Sequence, residues 1–338
     1  MNIGIATSGL WKLRKAVELL VQARPRKTLS ALRVDAIAGW GHKPTSDRAR
    51  KRARSAGLPY IAFEDGFLRS LSPGNEELPL SMVVDRTGIY YDSRQPSDLE
   101  PFVRKRAQSN REGNRARNLI DLLRDKRLSK YNNATIHDLS RLNLSSNHAR
   151  DRVLVIDQTA GDASIPGARA TASTFGDMLL CAVEENPGCE VIVKTHPEAA
   201  NGRKKGYLTK GTVSQNTRLE KPLADNRIRF VSEPINCWSL LEACSRIYCV
   251  SSQLGFEGLM AGCEVHTFGC AFYSGWGLTQ DRLAVSRGSA SLEAFVSALY
   301  FDYSKFIDHE NNSLMSVEEG VEMLISKRAL NSGLNHEK

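Results

Sequence analysis

Lysine and histidine side chains stand together in a turn made of Lys194, Thr195, His196 and Pro197. The apolar residues 191–193 just before it predict a buried strand, and Pro197 ends that strand. The lysine and the imidazole therefore lie at the carboxyl edge of a strand, where α/β proteins bind anionic ligands. The alternative is a surface turn with one buried histidine. Because the cation and the imidazole occur together, we predict a phosphate site here, called the lysine turn below.

Small hydroxyls follow a second apolar run, residues 247–250, and lead into a predicted helix. Backbone N–H groups at a helix start, with two serine hydroxyls beside them, can bind an anion. Glu257, in the first helical turn, can accept hydrogen bonds from ribose hydroxyls. Simple capping of the helix by Ser252 is the alternative. The segment and the lysine turn together predict a nucleotide whose phosphate is held from two sides. The predicted contacts of this segment are Ser251, Ser252, Gln253, Gly255 and Glu257.

Two adjacent carboxylates, Glu64 and Asp65, follow a third apolar run and precede Gly66. One of these carboxylates can face a ligand, have a raised pKa and act as a general acid or base. The alternative is a turn in which Asp65 accepts hydrogen bonds from its own backbone, and local sequence does not separate the two.

A further pair of carboxylates lies around the loop that follows the apolar residues 153–156. Asp157 ends the predicted strand, whereas Asp162 lies farther out on the loop, where a carboxylate nucleophile can reach a sugar carbon. The alternative is an Asx-turn with a helix cap beyond it.

Several metal and nucleotide motifs are absent from the sequence. It has no Asp-x-Asp, no zinc-type Cys/His spacing, no GxxxxGK[ST] and no GxSxG. Without an Asp-x-Asp to hold a divalent metal, the sequence suits a donor with a single phosphate, which Lys194 and His196 can neutralise. We therefore expect no metal and no cofactor.

The elements that must position these residues alternate between short apolar runs and helical patterns, which predicts an α/β fold. The expected strands are residues 3–6, 34–39, 60–63, 82–85, 153–157, 191–194, 228–231, 247–250 and 265–268. The polar residues 132–151, rich in Asn and Ser, predict a linker. The expected domains are residues 1–145, residues 146–305 and a helical tail at 306–338. We expect two Rossmann-like domains facing a ligand-binding cleft.

The composition is that of an ordinary soluble protein. Of 338 residues, 41% are hydrophobic and 25% charged, and no run approaches the roughly 20 apolar residues of a membrane-spanning helix. The first residues lack the basic stretch of a signal peptide. Seven cysteines without CxxC spacing, several of them in apolar runs, indicate reduced core residues of a cytoplasmic protein.

The net charge of the chain is +8, and residues 101–130 contain much of this excess, because Lys and Arg outnumber Asp and Glu there. A solvated helix face is the simplest explanation. More specific explanations are binding of an anionic substrate, a membrane surface or nucleic acid, and charge alone does not distinguish among them.

Ordered sequence blocks from about residue 4 to about residue 303 resemble the capsule polysaccharide proteins of the KpsC type. The blocks are GWGHKP at 39–44, FEDGFLRS at 63–70, PLSMVVD at 79–85, GIYYD at 88–92, LSKYN at 128–132, DQT at 157–159 followed by Asp162, KTHP at 194–197, SQLGFE at 252–257 and FYSGWGLT at 272–279. Their number and order make the resemblance specific.

The resemblance implies a GT-B-type fold and a retaining β-Kdo transferase that uses CMP-Kdo to extend a Kdo-primed glycolipid acceptor of the capsule linker. Members of this type usually carry two modules in tandem, and this chain resembles one, more the N-terminal than the C-terminal module. This favours a β-(2→4) over a β-(2→7) linkage. The implied location is cytoplasmic, on the inner face of the inner membrane, with an anionic membrane surface and a second transferase module as partners and no nucleic acid.

The resemblance also assigns roles to residues. Retention of the anomeric configuration requires two displacements at the anomeric carbon. The shared pattern of Gln, three residues and Asp selects Gln158 and, as nucleophile, Asp162, with Asp157 as the alternative. Glu64 is assigned as the acid/base, and His196 and Lys194 stabilise the leaving phosphate. The other implied substrate contacts are Asp65, Gly66, Pro197, Arg69, Lys130, Tyr131 and Trp276.

Two other functions stay open at this point. The sequences Glu64-Asp65-Gly66 and His196-Pro197 also resemble motifs of bacterial sialyltransferases, which invert the anomeric configuration. An inverting CMP-ulosonate transferase is therefore one alternative. The other is a non-catalytic module that binds anions, nucleic acid or a membrane through residues 101–130. The sequence contains no recognisable nucleic-acid-binding motif, which argues against nucleic acid.

Overall fold

The computed structural model describes residues 1–28, 30, 32–73, 77–109, 113–134, 136–142, 152–195, 205–224 and 227–334. The chain divides into two compact units. The first unit comprises Met1–Leu122, Leu128–Asn133 and Glu293–Lys338, and the second comprises Leu123–Arg127 and Ala134–Leu292. Each unit contains a β-sheet and helices, which confirms the α/β fold class.

The described strands, numbered in chain order, are β1 (Asn2–Ile5), β2 (Arg24–Lys27), β3 (Ala36–Trp40), β4 (Tyr60–Asp65), β5 (Ser81–Asp85), β6 (Arg152–Ile156), β7 (Glu190–Lys194), β8 (Ile228–Val231), β9 (Arg246–Cys249), β10 (Glu264–Thr267), β11 (Gln280–Asp281), β12 (Ser304–Asp308) and β13 (Ser313–Met315). The described α-helices are α1 (Ser8–Lys12), α2 (Arg14–Val21), α3 (Asp47–Ser55), α4 (Leu99–Ser109), α5 (Gly113–Asp125), α6 (Ser164–Gly167), α7 (Ala172–Glu184), α8 (Lys210–Val213), α9 (Glu220–Ala224), α10 (Cys237–Glu242), α11 (Gln253–Met260), α12 (Leu292–Ser297) and α13 (Val317–Leu334). A π-helical segment, Ala298–Tyr303, follows α12 directly.

The sheet of the first unit has the order β13-β12-β5-β4-β3-β1-β2 among the described strands. Strands β1 to β4 pair in parallel, and β5, β12 and β13 add antiparallel pairings. Helices α1 and α2 bury residues such as Leu10 and Val17 against Ile3 and Ile5 on one face. Helix α3 covers the opposite face, where Ala49 and Ala53 pack with Ile37. The sheet is therefore covered by helices on both faces, as in Rossmann-like folds.

The sheet of the second unit has the order β11-β10-β9-β6-β7-β8 in the described part of the chain, and all its pairings are parallel. Every residue of β6 and β7 is buried, as expected for central strands of a parallel sheet. Helix α7 packs Phe175, Met178 and Leu179 against Val153 and Val155 of β6. The carboxyl ends of β7, β6 and β9 consequently lie side by side at one sheet edge.

The division into units differs from the expected domain boundaries at residues 145 and 305. The segment 306–338, expected as a helical tail, groups with the first unit, because β12 pairs with β5 and β13 pairs with β12. Half of the expected linker, residue 135 and residues 143–151, lies outside the described residues. The arrangement of two domains around a cleft stays a prediction.

None of the helices in the described part of the chain combines the length and the apolar character that crossing a bilayer requires.

Candidate active site

Glu64 lies near the carboxyl end of β4, and only 4% of the residue is exposed. Lys43 follows the neighbouring strand β3, and its Nζ donates a hydrogen bond to Glu64 Oε1 at 2.8 Å. The second oxygen, Oε2, is buried and has no hydrogen-bond partner among the described residues. A buried carboxylate oxygen without a donor is costly for a protein to keep. Oε2 is therefore suited to exchange a proton or a hydrogen bond with a ligand.

Gly41 keeps the space beside Glu64 open. Its φ is +50°, and a Cβ there would lie 2.9 Å from Glu64 Oε2 and 2.1 Å from the Tyr91 hydroxyl oxygen. That hydroxyl accepts a hydrogen bond from the His42 N–H at 2.7 Å. Burial, followed by the nearby Glu64 carboxylate, raises the pKa of Tyr91 above its ordinary value. Tyr91 therefore stays a neutral phenol beside Glu64 at physiological pH.

Asp65 and Arg69 form a buried ion pair, with 2.9 Å between Asp65 Oδ2 and Arg69 Nε. Arg69 also donates from Nη1 to Ser70 Oγ at 2.8 Å. Asp65 Oδ1 is buried without a hydrogen-bond partner in the described part of the chain. The guanidinium expected to bind substrate is thus already engaged by a carboxylate, so a substrate anion would have to compete with Asp65.

Lys130 supplies the second cation of this neighbourhood. Burial would lower the pKa of its amine, but the electrostatic effects of Tyr90, Tyr131, Asp65 and Glu64 outweigh burial and hold the pKa above its ordinary value. The ammonium therefore stays charged near two carboxylates. Lys43, Glu64, Asp65, Arg69 and Lys130 are called the first-unit cluster below.

Two other sequence-predicted contacts of the first unit have evident structural roles. A Cβ on Gly66 would lie 2.1 Å from Ser81 Oγ, so close packing against β5 requires glycine here. Tyr131 pairs with Ser70 in a short parallel bridge, and its ring centroid lies 5.9 Å from Lys130 Nζ. Gly66 therefore shapes the strand end, while Tyr131 lies beside the Lys130 cation.

A His–Asp pair near Glu64 received no role from sequence reasoning. His42 Nδ1 lies 2.8 Å from Asp92 Oδ2, and Arg94 Nε donates to Asp92 Oδ1 at 2.7 Å. Burial acts to raise the pKa of Asp92, but the hydrogen bonds from Arg94 and His42 hold it well below its usual range. The two residues occur in the sequence blocks at 39–44 and 88–92, yet their separation of 50 positions gives no local signal.

In the second unit, the structure brings Gln158 and Ser251 into direct contact. The Ser251 N–H donates to Gln158 Oε1 at 3.0 Å, and Gln158 Nε2 donates to Ser251 Oγ at 3.3 Å. Gln158 Nε2 also lies 3.4 Å from Ser164 Oγ. The contact exists because β6 and β9 are parallel neighbours, so the residues that follow them share an edge.

Asp157 is 1% exposed, and its Oδ1 accepts three backbone N–H hydrogen bonds. The donors are Gln158 at 2.9 Å, Tyr207 at 3.0 Å and Leu208 at 3.2 Å. Oδ2 is buried without a partner among the described residues. Burial raises the pKa of Asp157 to about 6, against the opposing effect of the three amides. Asp157 thus fixes the backbone at residues 207–208 to the end of β6.

Asp162 is exposed, in contrast to Asp157. Its Oδ1 accepts a hydrogen bond from the Ser164 N–H at 2.9 Å, which forms an Asx-turn leading into α6. The turn expected as the alternative at this position is therefore present. It engages one carboxylate oxygen and leaves the residue accessible to a ligand.

Lys194 is 5% exposed, and its Nζ donates to the Glu233 carbonyl oxygen at 3.1 Å. Burial lowers the pKa of the amine, with Cys237 and Glu233 opposing the shift. No carboxylate of the described chain lies within 4 Å of this nitrogen. A buried amine without an anionic partner favours binding of an anion, whose charge would stabilise the ammonium form.

Residues at the start of α11 take part in capping, in a buried hydrogen bond and in close packing. The Ser252 hydroxyl accepts from the Leu254 N–H at 3.2 Å, so the capping expected as the alternative is present. Glu257 is 2% exposed and accepts from Gln253 Nε2 at 3.0 Å. A Cβ on Gly255 would lie 2.2 Å from the Tyr273 hydroxyl oxygen, so packing between elements of this unit requires that glycine.

Trp276 lies in the core of the second unit, and only 1% of it is exposed. Its Nε1 donates to the Phe272 carbonyl oxygen at 3.3 Å. In this conformation it supports the surrounding loop and does not offer a surface to a substrate, contrary to the contact that the resemblance implies. His196 and Pro197 of the lysine turn lie outside the described residues.

Among the described residues, no group of three or more His, Cys, Asp and Glu side chains is arranged to hold a metal ion. Metal independence stays a prediction.

The two α/β units give the chain the fold of a GT-B-type glycosyltransferase. The sequence matches the family described as "Capsule polysaccharide biosynthesis protein" over residues 35–303. The chain therefore belongs to this family, and the resemblance to KpsC-type proteins is confirmed.

Two kinds of curated relatives are similar to the chain. "Capsule polysaccharide modification protein LipA" of Neisseria meningitidis serogroup A is 38% identical over 314 residues, which cover 90% of this chain and 43% of LipA. "Lipopolysaccharide-processing protein LpsZ" of Rhizobium meliloti is 35% identical over 292 residues, 85% of this chain and 63% of LpsZ. The chain thus spans less than half the length of LipA.

Two solved structures from Thermosulfurimonas dismutans share the fold. "KpsC, beta Kdo 2,4 transferase" has a TM-score of 0.82 and 36% identity, covering 96% of this chain and 98% of that one. "KpsC, beta Kdo 2,7 transferase" has a TM-score of 0.69 and 23% identity, covering 97% of this chain and 99% of that one.

Proposed function

We propose that this chain is a retaining β-Kdo transferase that moves Kdo from CMP-β-Kdo to a Kdo-primed glycolipid acceptor of a capsule linker. The observation that carries this proposal is the similarity to the solved β-Kdo 2,4 transferase along 96% of the chain. Its identity of 36%, against 23% for the 2,7 transferase, favours the β-(2→4) linkage. The proposed location is the cytoplasm, at the inner face of the inner membrane.

In the first displacement, an Asp162 carboxylate oxygen forms a bond to the anomeric carbon of Kdo. The bond between that carbon and the phosphate oxygen breaks, and CMP leaves with the electron pair. Lys194 and His196 stabilise the charge on the departing phosphate. The exposure of Asp162 supports its role, and the buried amine of Lys194, which has no carboxylate neighbour among the described residues, supports that of Lys194.

In the second displacement, the acceptor hydroxyl oxygen attacks the same carbon, and the bond to Asp162 breaks. The hydroxyl proton passes to Glu64, which has one buried oxygen without a donor among the described residues. Gln158 and Ser251, hydrogen-bonded to each other, hold the end of β6 to the start of α11 on the donor side. Two inversions at one carbon give net retention.

Asp157 remains the alternative nucleophile. Its Oδ1 is engaged by three backbone amides and its Oδ2 is buried, so a sugar would reach it only after local rearrangement. This environment supports Asp162 as the first choice and gives Asp157 the role of fixing the loop backbone.

Intact-mass spectrometry tests the nucleophile. The protein is incubated with CMP-Kdo and no acceptor, and we expect an adduct of the mass of one Kdo residue. Asp162→Ala should lose the adduct, while Asp157→Asn, which keeps an acceptor for the three amides, should retain it. The reverse pattern would assign the nucleophile to Asp157, and an adduct that persists in both variants would exclude either residue.

Stereochemistry tests the reaction class. Anomeric NMR of the product made from CMP-β-Kdo should show the β configuration of the donor. An inverted product would instead establish the sialyltransferase-like alternative, in which a carboxylate of the Glu64-Asp65 pair acts as base.

Turnover should also survive excess EDTA, and a loss of turnover that Mg²⁺ restores would contradict metal independence.

A further inference from the structure

Positive charge is concentrated at the start of the chain. Residues 1–58 contain thirteen Lys and Arg against three Asp and Glu, a net of +10, although the whole chain carries only +8. The basic region singled out from the sequence, residues 101–130, is largely neutralised by ion pairs. Arg106 pairs with Asp302, and Arg115 pairs with Glu318, each through two hydrogen bonds. The excess of positive over negative charge therefore lies in the first 58 residues.

Strand β2, at the edge of the first-unit sheet, directs two arginines to one face. Register places Arg24 beside Asn2 and Arg26 beside Gly4. Neighbours in a parallel pair point to the same face, and Gly4 in turn pairs with Ile37. Ile37 packs under α3, so the two exposed arginines lie on the α3 face of the sheet.

Helix α3 adds further cations on this face. Its buried side, Ala49 and Ala53, packs against the sheet. Arg48, Lys51, Arg52 and Arg54 are all exposed. At 100° per residue these four side chains span about 160° of the helix surface. Asp47, the one acidic residue of α3, is paired with Arg50.

An exposed leucine lies on the same face. The connection from β2 to β3 crosses β1 there, because a Cβ on Gly4 would lie 3.0 Å from the Thr28 carbonyl oxygen and 3.6 Å from Val34 Cγ1. Leu32 in this connection is 79% exposed, more than any other large apolar side chain described, and the exposed Arg33 follows it. The face thus combines spread cations with one protruding aliphatic side chain. The basic face, as named below, comprises Arg24, Arg26, Leu32, Arg33, Arg48, Lys51, Arg52 and Arg54.

We propose that the basic face docks the protein on a bilayer that contains anionic phospholipid. Cations spread over an edge strand, a loop and a helix complement a negatively charged lipid surface, where each Lys or Arg contributes to binding. Leu32 can enter the apolar boundary beneath the headgroups, which stabilises docking by burying its side chain. The choice of a lipid surface draws on the proposed function, whose acceptor is a glycolipid, whereas docking itself requires no turnover.

A nucleic acid is the competing partner for such a surface. Proteins that bind single strands stack bases on exposed aromatic rings. In the described part of the chain, no Phe, Tyr or Trp side chain is exposed, and the exposed large apolar residues are aliphatic or methionine. A protruding leucine has no favourable position on a phosphate backbone. The surface therefore fits lipid better than nucleic acid.

Vesicle flotation tests the proposal. We expect the protein to float with phosphatidylglycerol/phosphatidylcholine vesicles at low salt, to stay behind with pure phosphatidylcholine, and to be released by 0.5 M NaCl (about 4 Å of screening length). The variant R48E/K51E/R54E should lower the partition coefficient on the order of 100-fold, at roughly fivefold per cation. Leu32→Ser should lower it roughly tenfold without changing the salt dependence.

A matched control comes from the opposite face of the same sheet. Lys12, Arg14 and Lys15 are exposed on α1 and α2, and K12E/R14E/K15E changes the net charge by the same amount. This variant should keep most of the binding. Equal losses in the two triple variants, or no flotation of the unmodified protein, would overturn the docking face.

Two further measurements separate failure of docking from failure of the proposed function. Glu64→Gln, a change in the first-unit cluster, should float normally even when turnover is lost. R48E/K51E/R54E should keep turnover on a detergent-solubilised acceptor and lose it on vesicle-embedded acceptor. Tight binding of a fluorescent 20-nucleotide DNA that R48E/K51E/R54E abolishes, with no flotation, would assign the face to nucleic acid instead.

Discussion

Glu64 and Asp157 share an unusual environment, although they belong to different units. In each carboxylate, one oxygen accepts hydrogen bonds, while the other is buried without a donor among the described residues. The donors differ, because Glu64 Oε1 accepts from the Lys43 ammonium at 2.8 Å and, at 3.3 Å, from the Asp65 N–H, whereas Asp157 Oδ1 accepts from three backbone amides. The Glu64 carboxylate therefore depends mainly on a side-chain donor. This difference supports a catalytic role for Glu64 and a structural role for Asp157.

Replacing Glu64 by Gln should separate the two displacements. The amide keeps the shape of the carboxylate but cannot take the acceptor proton, so the second step should slow by roughly 10²- to 10⁴-fold. The Kdo adduct on the protein should therefore accumulate even when acceptor is present, as intact-mass spectrometry would show. Loss of the adduct itself in this variant would place Glu64 in the first step.

Asp157 should make stability depend on pH. Its pKa of about 6 lies above that of an unfolded aspartate, so the native state binds the extra proton. The stabilisation is complete below pH 4 and is lost as pH rises through 6, about 3 kcal/mol from a shift of roughly two units. Urea unfolding of the wild type and Asp157→Asn at pH 4 to 7 should give a difference in unfolding free energy that changes by this amount. Parallel pH profiles would show that the carboxyl is not protonated in the native state.

At the level of elements, the strands that the sequence identified are those with uninterrupted apolar runs. Strands such as β6 and β9 are buried on both sides, so their composition alone indicates them. Strand β2 was missed because Arg-Pro-Arg-Lys has no apolar alternation, as an edge strand with an exposed surface allows. β12 was missed because its partner β5 lies more than 200 positions earlier, and β13 is paired with β12.

The contacts of the site were less predictable than its residues. Ser251 was singled out from local sequence and Gln158 from the family resemblance, but their hydrogen bond joins residues 93 positions apart. It follows from β6 lying between β7 and β9, and strand order cannot be read from the composition of single strands. The same limit explains residues 101–130, whose neutralising partners Asp302 and Glu318 are distant in sequence.

Two glycines in helices of the second unit should respond oppositely to alanine. In Gly255→Ala, the new Cβ would meet the Tyr273 hydroxyl oxygen at 2.2 Å and Cys249 Sγ at 2.6 Å, which should destabilise the unit by about 1–3 kcal/mol. In Gly176→Ala, the Cβ meets nothing within 4 Å, and the gain in helix propensity should stabilise by about 0.5–1 kcal/mol. Thermal unfolding of the two variants provides the comparison, and equal effects would contradict the packing role of Gly255.

At the level of the whole molecule, the first unit is assembled from both ends of the chain. Strand β12 pairs with β5, and Tyr303 donates to Asp85 Oδ2 at 2.8 Å. Phe306 and Ile307 of β12 are buried. The segment expected as an appended tail is therefore part of the first-unit core.

Truncation should reveal this integration. Ending the chain after Tyr303 removes β12, β13 and α13, exposes the edge of β5 and uncovers the core beneath Ile307. We expect an insoluble protein or one without a cooperative transition for the first unit. A control truncated after Leu334 should unfold like the full chain in differential scanning calorimetry. Normal unfolding of the larger truncation would show that the first unit is stable without its C-terminal strands.

The discontinuous first unit also constrains the order of events on the ribosome. The second unit, Ala134–Leu292, is complete in the nascent chain before β12 has been synthesised. Until β12 has been made, the buried strand β5 has an unpaired edge that can pair with other nascent chains. The amino-terminal part of the first unit must therefore wait, incomplete, while a later part of the chain folds, which makes it the expected client of chaperones that hold emerging polypeptides.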